Sequence, residues 1–256
     1  MRPSEDSPEY KKKKAFFNSM LTIYGRKPIL EALQDRAVSL YRIHLADSNR
    51  PDGIVKDIIR LAEKRGVEIC YHDRKGLSRI SKNSKQDQGV AADIQLSHYQ
   101  SLADFVGEED SYSLIALDSV SNPQNVGMII RSVAASPATA LLLPQKGCAA
   151  LSPLVIKASA GALFKARIIY CDDIVSGLKQ LKDHGASICT LSSHAEHSLY
   201  DYKPAAKNVY VLGNETEGVS KQVMSLCDTA ISIPMRNGVE SLNVAITAAL
   251  LAFSAA

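Results

Sequence analysis

Three polar segments hold the side chains best suited to chemistry. They are Asn122-Pro123-Gln124-Asn125 with Arg131 following, Gly213-Asn214-Glu215-Thr216-Glu217-Gly218, and Pro234-Met235-Arg236-Asn237-Gly238 leading into Ser241-Leu242-Asn243. An apolar run precedes each: residues 114–117 (LIAL), 209–212 (VYVL) and 230–233 (AISI). Strands buried on both faces read as such continuous runs, and they are typically parallel. In open α/β sheets ligands bind at the carboxyl ends of the strands, where these polar segments fall. Apolar Leu191, Ile233, Met235 and Leu242 at the strand ends could wall a flat aromatic ring such as adenine. Backbone around Gly213 would supply its polar contacts. Taken singly, each loop also reads as an ordinary strand-to-helix turn with solvated acids; three together favour a ligand.

Arg131 belongs to a helix running from Asn125 to Pro137. Val126, Ile129, Ile130 and Val133 form its apolar stripe, and Arg131 lies roughly opposite, toward solvent or a site. No GxGxxG follows a strand, and GxxxxGK[ST] and GxSxG do not occur, which argues against dinucleotide, P-loop and α/β-hydrolase chemistry. The HAEH run at 194–197 lacks metal-site spacing, and no CxxC pair occurs, so no metal is expected. The five cysteines read as reduced, buried thiols of a cytoplasmic protein.

The elements that must position these residues alternate. After residue 112, strands at 114–117, 139–143, 167–170, 187–191, 209–212 and 230–233 are interleaved with helices at 125–137, 151–163, 172–184 and 244–253. That succession gives a parallel sheet with helices on both faces. Before it, 21–96 reads as a smaller α/β module. It has helices at 28–33, 54–62 and 74–80, strands at 40–45 and 67–71, and a last strand beginning at 88–92. Residues 97–112 carry an acidic patch and read as a linker, and 1–20 as a mobile basic arm containing Lys11–Lys14.

Charge divides along the same line. Residues 1–100 hold 19 Lys and Arg against 13 Asp and Glu, whereas 101–256 hold 11 against 14. A basic front on a mildly acidic back points to a polyanionic partner for the front. Arg26, Lys27, Arg74, Lys75, Arg79 and Lys82 are the candidate RNA contacts. The uncharged C-terminal run is too short for a membrane span, which needs ~20 residues. It reads as a buried helix in a core or a subunit contact.

NPQNVGMIIRS (122–132), LGNETEGV (212–219) and IPMRNGVESLNV (233–244) resemble the three signature motifs of the SpoU/TrmH family. These are S-adenosylmethionine-dependent RNA ribose 2′-O-methyltransferases of the SPOUT superfamily. YGRKPILEAL (24–33) and DQGVAA (87–92) resemble the ends of the L30e-like substrate-binding domain that some members carry. Asp87 stands where that domain commonly has the His of HQG. The resemblance implies a C-terminal α/β SPOUT domain with a parallel sheet and a deep trefoil knot (113–256), and a small N-terminal L30e-like domain (21–96).

It further implies S-adenosylmethionine as cofactor and a homodimer through the C-terminal domain. Gly213, Ile233 and Leu242 would form the cofactor pocket, with Met235 and Leu191 beside them. Asn125, Arg131, Glu215, Ser241 and Asn243 would surround the transferred methyl. No metal is needed, because the leaving group is already good. The front domain tilts the substrate toward ribosomal RNA, guanosine favoured. A tRNA 2′-O-methyltransferase, a non-catalytic RNA-binding factor and a small-molecule nucleotide enzyme stand as the alternatives.

Overall fold

The computed structural model describes residues 20–36, 38–95, 99–193 and 195–254. The basic arm up to residue 19, and His194 of the HAEH run, lie outside the described residues. The chain forms two compact units that divide after residue 97.

The first unit runs β1 (Met20–Tyr24), α1 (Arg26–Gln34), β2 (Ser39–Ala46), α2 (Gly53–Lys64), β3 (Glu68–His72), α3 (Arg74–Ser81) and β4 (Val90–Gln95). Its sheet order is β1-β4-β2-β3, with β2 and β3 parallel and β4 antiparallel to both neighbours. In α2 the buried Val55, Ile58 and Ala62 recur at helical spacing and set the face turned to the core. Arg65, just past that helix, donates to the carbonyls of Ala32, Leu33, Asp35 and Val38, satisfying groups left over at the end of α1. On the other sheet face Ala46, Leu77 and Ala91 pack with Tyr24 and Ile80.

Asp87 is buried and accepts from Ser81 Oγ at 2.8 Å and Gly89 N at 2.9 Å. It fixes the turn into β4 and presents no charge to solvent.

The second unit runs β5 (Tyr99–Ser101), α4 (Leu102–Phe105), β6 (Tyr112–Leu117), α5 (Pro123–Ala135), β7 (Ala140–Pro144), α6 (Pro153–Ala158), a 3-10 turn (Ala162–Phe164), β8 (Ile168–Cys171), α7 (Ile174–Asp183), β9 (Ser187–Leu191), β10 (His197–Ser198), β11 (Lys207–Leu212), α8 (Lys221–Met224), β12 (Thr229–Ser232) and α9 (Val244–Phe253). Eight strands pair in the order β10-β12-β9-β11-β6-β7-β8-β5, every pairing parallel. The stretch 97–112, expected as a linker, is in its described part built into this unit. Tyr99–Ser101 forms the edge strand beside β8, and Leu102, Phe105 and Tyr112 enter the core. The acidic patch is met by Arg167, which pairs with Glu108 and Glu109.

Order along the sheet fixes where a site can lie. From β6 the chain proceeds through β7 to β8, whereas β9, β11 and β12 lie on the opposite side of β6. The reversal falls between β6 and β11, the position at which such sheets open a crevice. Register brings the strand ends level there: Leu212 lies opposite Leu117, Val211 opposite Thr190, and Ile231 opposite Leu191. Helix α5 packs tightly against α6 through Gly127, where an added Cβ would lie 2.5 Å from Ala158 Cβ. This contact fixes α5, with the polar segment at its start, against α6.

Candidate active site

Asn122 caps α5 by accepting from Gln124 N at 2.9 Å, and Pro123 occupies the first turn, where no N–H is needed. The helix therefore starts before Asn125 and carries it inward, 5% exposed. Asn125 Nδ2 donates to Glu215 Oε1, in the loop after β11. Its Oδ1 accepts from Asn243 Nδ2 at 3.2 Å. Asn243 in turn caps α9, its Oδ1 accepting from Ala245 N at 2.9 Å. One directed chain, from the α9 N-terminus through Asn243 and Asn125 to Glu215, thus joins all three polar segments.

The loop after β11 is locked from within. Asn214 and Gly218 exchange backbone hydrogen bonds of 3.0 and 2.9 Å, and Asn214 Oδ1 accepts from Thr216 N at 2.9 Å. An added Cβ at Gly213 would lie 2.1–2.3 Å from the backbone of Gly218 and Val219. Glycine at 213 is therefore required by the loop's own closure. Across the reversal point, Asn214 Nδ2 donates to Ser119 O at 3.0 Å, and Asp118, buried at the end of β6, accepts from Ser220 N at 2.7 Å. Asp118 lies outside the three polar segments, and Asn122 and Asn214 lie within them without an assigned role, yet all three belong to this frame. Asn122 alone carried a local signal, Asn followed by Pro at a helix start.

Leu191, Ile233, Met235 and Leu242 are each only part-buried beside these loops. Leu191 ends β9 and Ile233 follows β12, its neighbour in the sheet, while Met235 and Leu242 lie in the segment leading to α9. Ser241 is exposed in the approach to α9. Arg131 is exposed on α5 and has no hydrogen-bond or ion-pair partner among the described residues. Six helical residues separate it from Asn125, an advance of ~9 Å and a turn of ~240° around the axis. It therefore stands apart from the Asn125 cluster within one chain. Glu215 engages Asn125 and not Arg131.

Met128 lies one turn before Arg131 and shares its face; it is 40% exposed. Helix α9 is apolar on every side, yet Ile246 and Phe253 remain more than half exposed. In the first unit Lys27, Arg74, Lys75, Arg79 and Lys82 are exposed and Arg26 is part-buried.

A parallel α/β sheet whose three polar loops are stitched together at the order reversal defines an open-sheet α/β protein with its site at the carboxyl ends of the strands. Residues 112–253 match the SpoU rRNA Methylase family, and residues 22–100 match the family described as RNA 2′-O ribose methyltransferase substrate binding. The chain belongs to the SpoU rRNA methylase family.

Among relatives, a tRNA/rRNA methyltransferase of Mycolicibacterium vanbaalenii, described as uncharacterized, is 32% identical over 90% of this chain and 74% of its own length. A counterpart in Mycobacterium leprae is 31% identical over 88% of this chain and 73% of its own. The fold is shared with the SpoU methyltransferase AviRb of Streptomyces viridochromogenes, crystallised with AdoMet, at a TM-score of 0.65 and 19% identity. That match covers 97% of this chain and 92% of the other. An AdoMet-bound rRNA methyltransferase of Sinorhizobium meliloti matches at 0.65 and 21% over 95% and 89%.

Proposed function

We propose that the chain transfers a methyl group from S-adenosylmethionine to a ribose 2′-oxygen of RNA, with a guanosine of ribosomal RNA as the favoured target. The observation that carries this reading is the directed chain Asn243–Asn125–Glu215 at the order reversal, in a member of a family of RNA methylases. The part-buried apolar side chains of Leu191, Ile233, Met235 and Leu242 fit the adenosyl group, and the closed loop at Gly213 presents backbone beside it. When bound, this cofactor supplies an electrophilic methyl group on a sulfonium that is already a good leaving group.

The protein's part is placement. Asn125 sets the Glu215 carboxylate and, through Asn243, the start of α9, so the three loops keep one relative position. Fixing reactants in a near-attack arrangement is the largest contribution such a site can make. Arg131 clamps the phosphate next to the target ribose, two parallel N–H donors facing two oxygens. A guanidinium is very hard to deprotonate, so its role is the clamp and not proton abstraction, and the proton of the 2′-hydroxyl goes to solvent. Ser241 faces solvent at the mouth of the site, where a ribose or phosphate oxygen would lie.

The exposed apolar faces of α5 and α9 support a homodimer through the C-terminal unit, with Arg131 brought to a methyl site across the subunit contact. The reading includes the trefoil knot that the family resemblance implies, and a cytoplasmic location where RNA and cofactor are present. The basic first unit selects the RNA. Labelled methyl donor offered with ribosomal and transfer RNA transcripts tests the substrate. Label in ribosomal RNA is expected; label confined to transfer RNA overturns that preference, and label in neither overturns the activity.

A further inference from the structure

At the end of the first unit's sheet lies a cavity of ≈ 460 Å³ lined by Arg26, Ser48, Asn49, Arg74 and Gln88. Its lining holds two cations and three uncharged polar residues, with no carboxylate and no apolar side chain. The volume falls within the range of small-molecule sites, about 300–1,000 Å³, larger than a lone phosphate requires.

Arg26 is preorganised at this cavity. Its Nε donates to Gln88 O at 3.2 Å and its Nη2 to Asn49 Oδ1 at 3.3 Å. Asn49 is itself fixed, its Nδ2 donating to Gly89 O at 2.6 Å. Gln88 Oε1 accepts from Arg26 N at 3.2 Å, which leaves the Gln88 amide NH2 to the cavity. Gln88 takes φ 52° as the first central residue of the turn in which Val90 N donates to Asp87 O at 2.9 Å, and Gly89 follows at φ 78°. A Cβ on the next residue, Gly89, would lie 2.7 Å from Asn49 Oδ1. With one edge of the guanidinium held in this way, Nη1 has no acceptor among the described residues. Arg74 lines the same cavity, exposed and with no side-chain partner among the described residues.

We propose that this cavity binds one nucleotide of the RNA, its phosphate on the free fork of Arg26 and its base edge toward Arg74 and Gln88. A guanidinium held on one edge by a carbonyl and by a side chain that is itself fixed is the feature of a built site, which a merely solvated arginine does not need. A lining rich in donors selects an acceptor-rich ligand, and a phosphodiester with its nucleoside fits both the chemistry and the size. No aromatic side chain lines the cavity, so the base is held by hydrogen bonds along its edge and not by aromatic stacking. The inference rests on the RNA-methylating reading and deepens it, by giving the first unit a point of recognition beyond diffuse charge.

The test is fluorescence anisotropy of the full chain with a labelled stem-loop RNA, titrated at several salt concentrations. Arg26→Ala is expected to weaken binding about tenfold and to reduce the salt slope by about one. Lys64→Ala, which removes an equal charge from α2 outside the cavity, is expected to stay within about twofold of wild type. Arg26→Lys keeps the charge but cannot hold both acceptors and still present a fork, so it is expected to bind like Arg26→Ala.

Guanosine 5′-monophosphate is expected to compete at lower concentration than inorganic phosphate. Equal effects of Arg26→Ala and Lys64→Ala, or full binding by Arg26→Lys, overturn the site. Equal competition by inorganic phosphate reduces it to an anion hole and overturns the nucleotide assignment. If the wild-type chain binds the RNA and the Arg26 variants behave like the control, the pocket fails and the RNA reading stands. If the wild-type chain binds no RNA, the RNA reading itself fails.

Discussion

Exchanging the donor and acceptor of the Asn125–Glu215 contact tests the stitched loops most sharply. Asn125→Asp replaces the amide N–H that faces Glu215 with a second carboxylate oxygen. A hydrogen bond to a charged group contributes about 1.5–3 kcal/mol. Two carboxylates ~4 Å apart repel by ~4 kcal/mol at an effective dielectric of 20 and by ~1 kcal/mol in water. Glu215 is exposed, so the lower part of that range applies. Together these terms give a loss of ~3 to 5 kcal/mol at neutral pH, divided between stability and loop position.

The contact to Asn243 survives the Asn125→Asp substitution, because the oxygen kept at position 125 still accepts from Asn243 Nδ2. Combining Asn125→Asp with Glu215→Gln restores a donor opposite an acceptor and is expected to recover ~2 kcal/mol or more. Thermal unfolding and calorimetric binding of S-adenosylmethionine, each at about pH 8 and about pH 5.5, read the effect. The single Asn125→Asp variant is expected to improve at the lower pH, since a carboxylate pair that shares one proton loses its repulsion. Strict additivity of the two substitutions, or an Asn125→Asp protein that behaves like Asn125→Ala at both pH values, would refute the reasoning.

Three further outcomes follow from other contacts. Gly213→Ala must push the loop backbone apart and is expected to lower stability by at least ~1–3 kcal/mol, visible as a fall of several degrees in Tm; an unchanged melt would show that the loop does not close on itself. Burial pushes the Asp93 carboxyl up, but hydrogen bonding with His44 and Thr22 outweighs it and holds the group below its ordinary 3.8. Its contribution is therefore present above pH ~4 and is lost as pH falls through the lowered value. Asp93→Asn should flatten the acid limb of denaturant-measured stability, and an identical limb would remove Asp93 from it. If the proposed homodimer forms through α9, wild type should sediment as a dimer, and Ile246→Glu with Phe253→Glu should sediment as a monomer and lose methyl transfer while staying folded; a monomeric wild type overturns the homodimer, and an unchanged profile moves the subunit contact elsewhere.

Much of the fold is legible because the period changes where the structure does. Residues 114–117, 140–143 and 209–212 are apolar without interruption, as strands covered on both faces must be, and all are buried. The edge strand at Tyr99–Ser101 and the two-residue strand at His197–Ser198 gave no such signal. They are short, polar in part, and defined by their neighbours. The expected linker failed for the same reason: Leu102 and Phe105 are too few to form a pattern, although both are almost fully buried.

The site is legible as residue types and order but not as contacts. Glu215 lies 90 residues from Asn125, and Asn243 lies 118, so no local periodicity relates them. Helical geometry alone turned Arg131 away from its helix's core, and the side chain is exposed. What it meets there depends on a second surface that the spacing of one chain does not encode. Asp87 shows the opposite case, since a position read as a departure from the family pattern is satisfied by Ser81 and Gly89.

The position of the transferred methyl tests the central claim most directly. A ribose 2′-O-methyl group blocks alkaline cleavage of the neighbouring phosphodiester, because the attacking hydroxyl is gone. RNA labelled by the wild-type protein from methyl-labelled S-adenosylmethionine, then hydrolysed with alkali, should yield label in resistant dinucleotides, and Arg131→Ala should yield none while still binding the cofactor. Label recovered in single nucleotides, as a base methylation would give, or undiminished transfer by Arg131→Ala, would contradict the account.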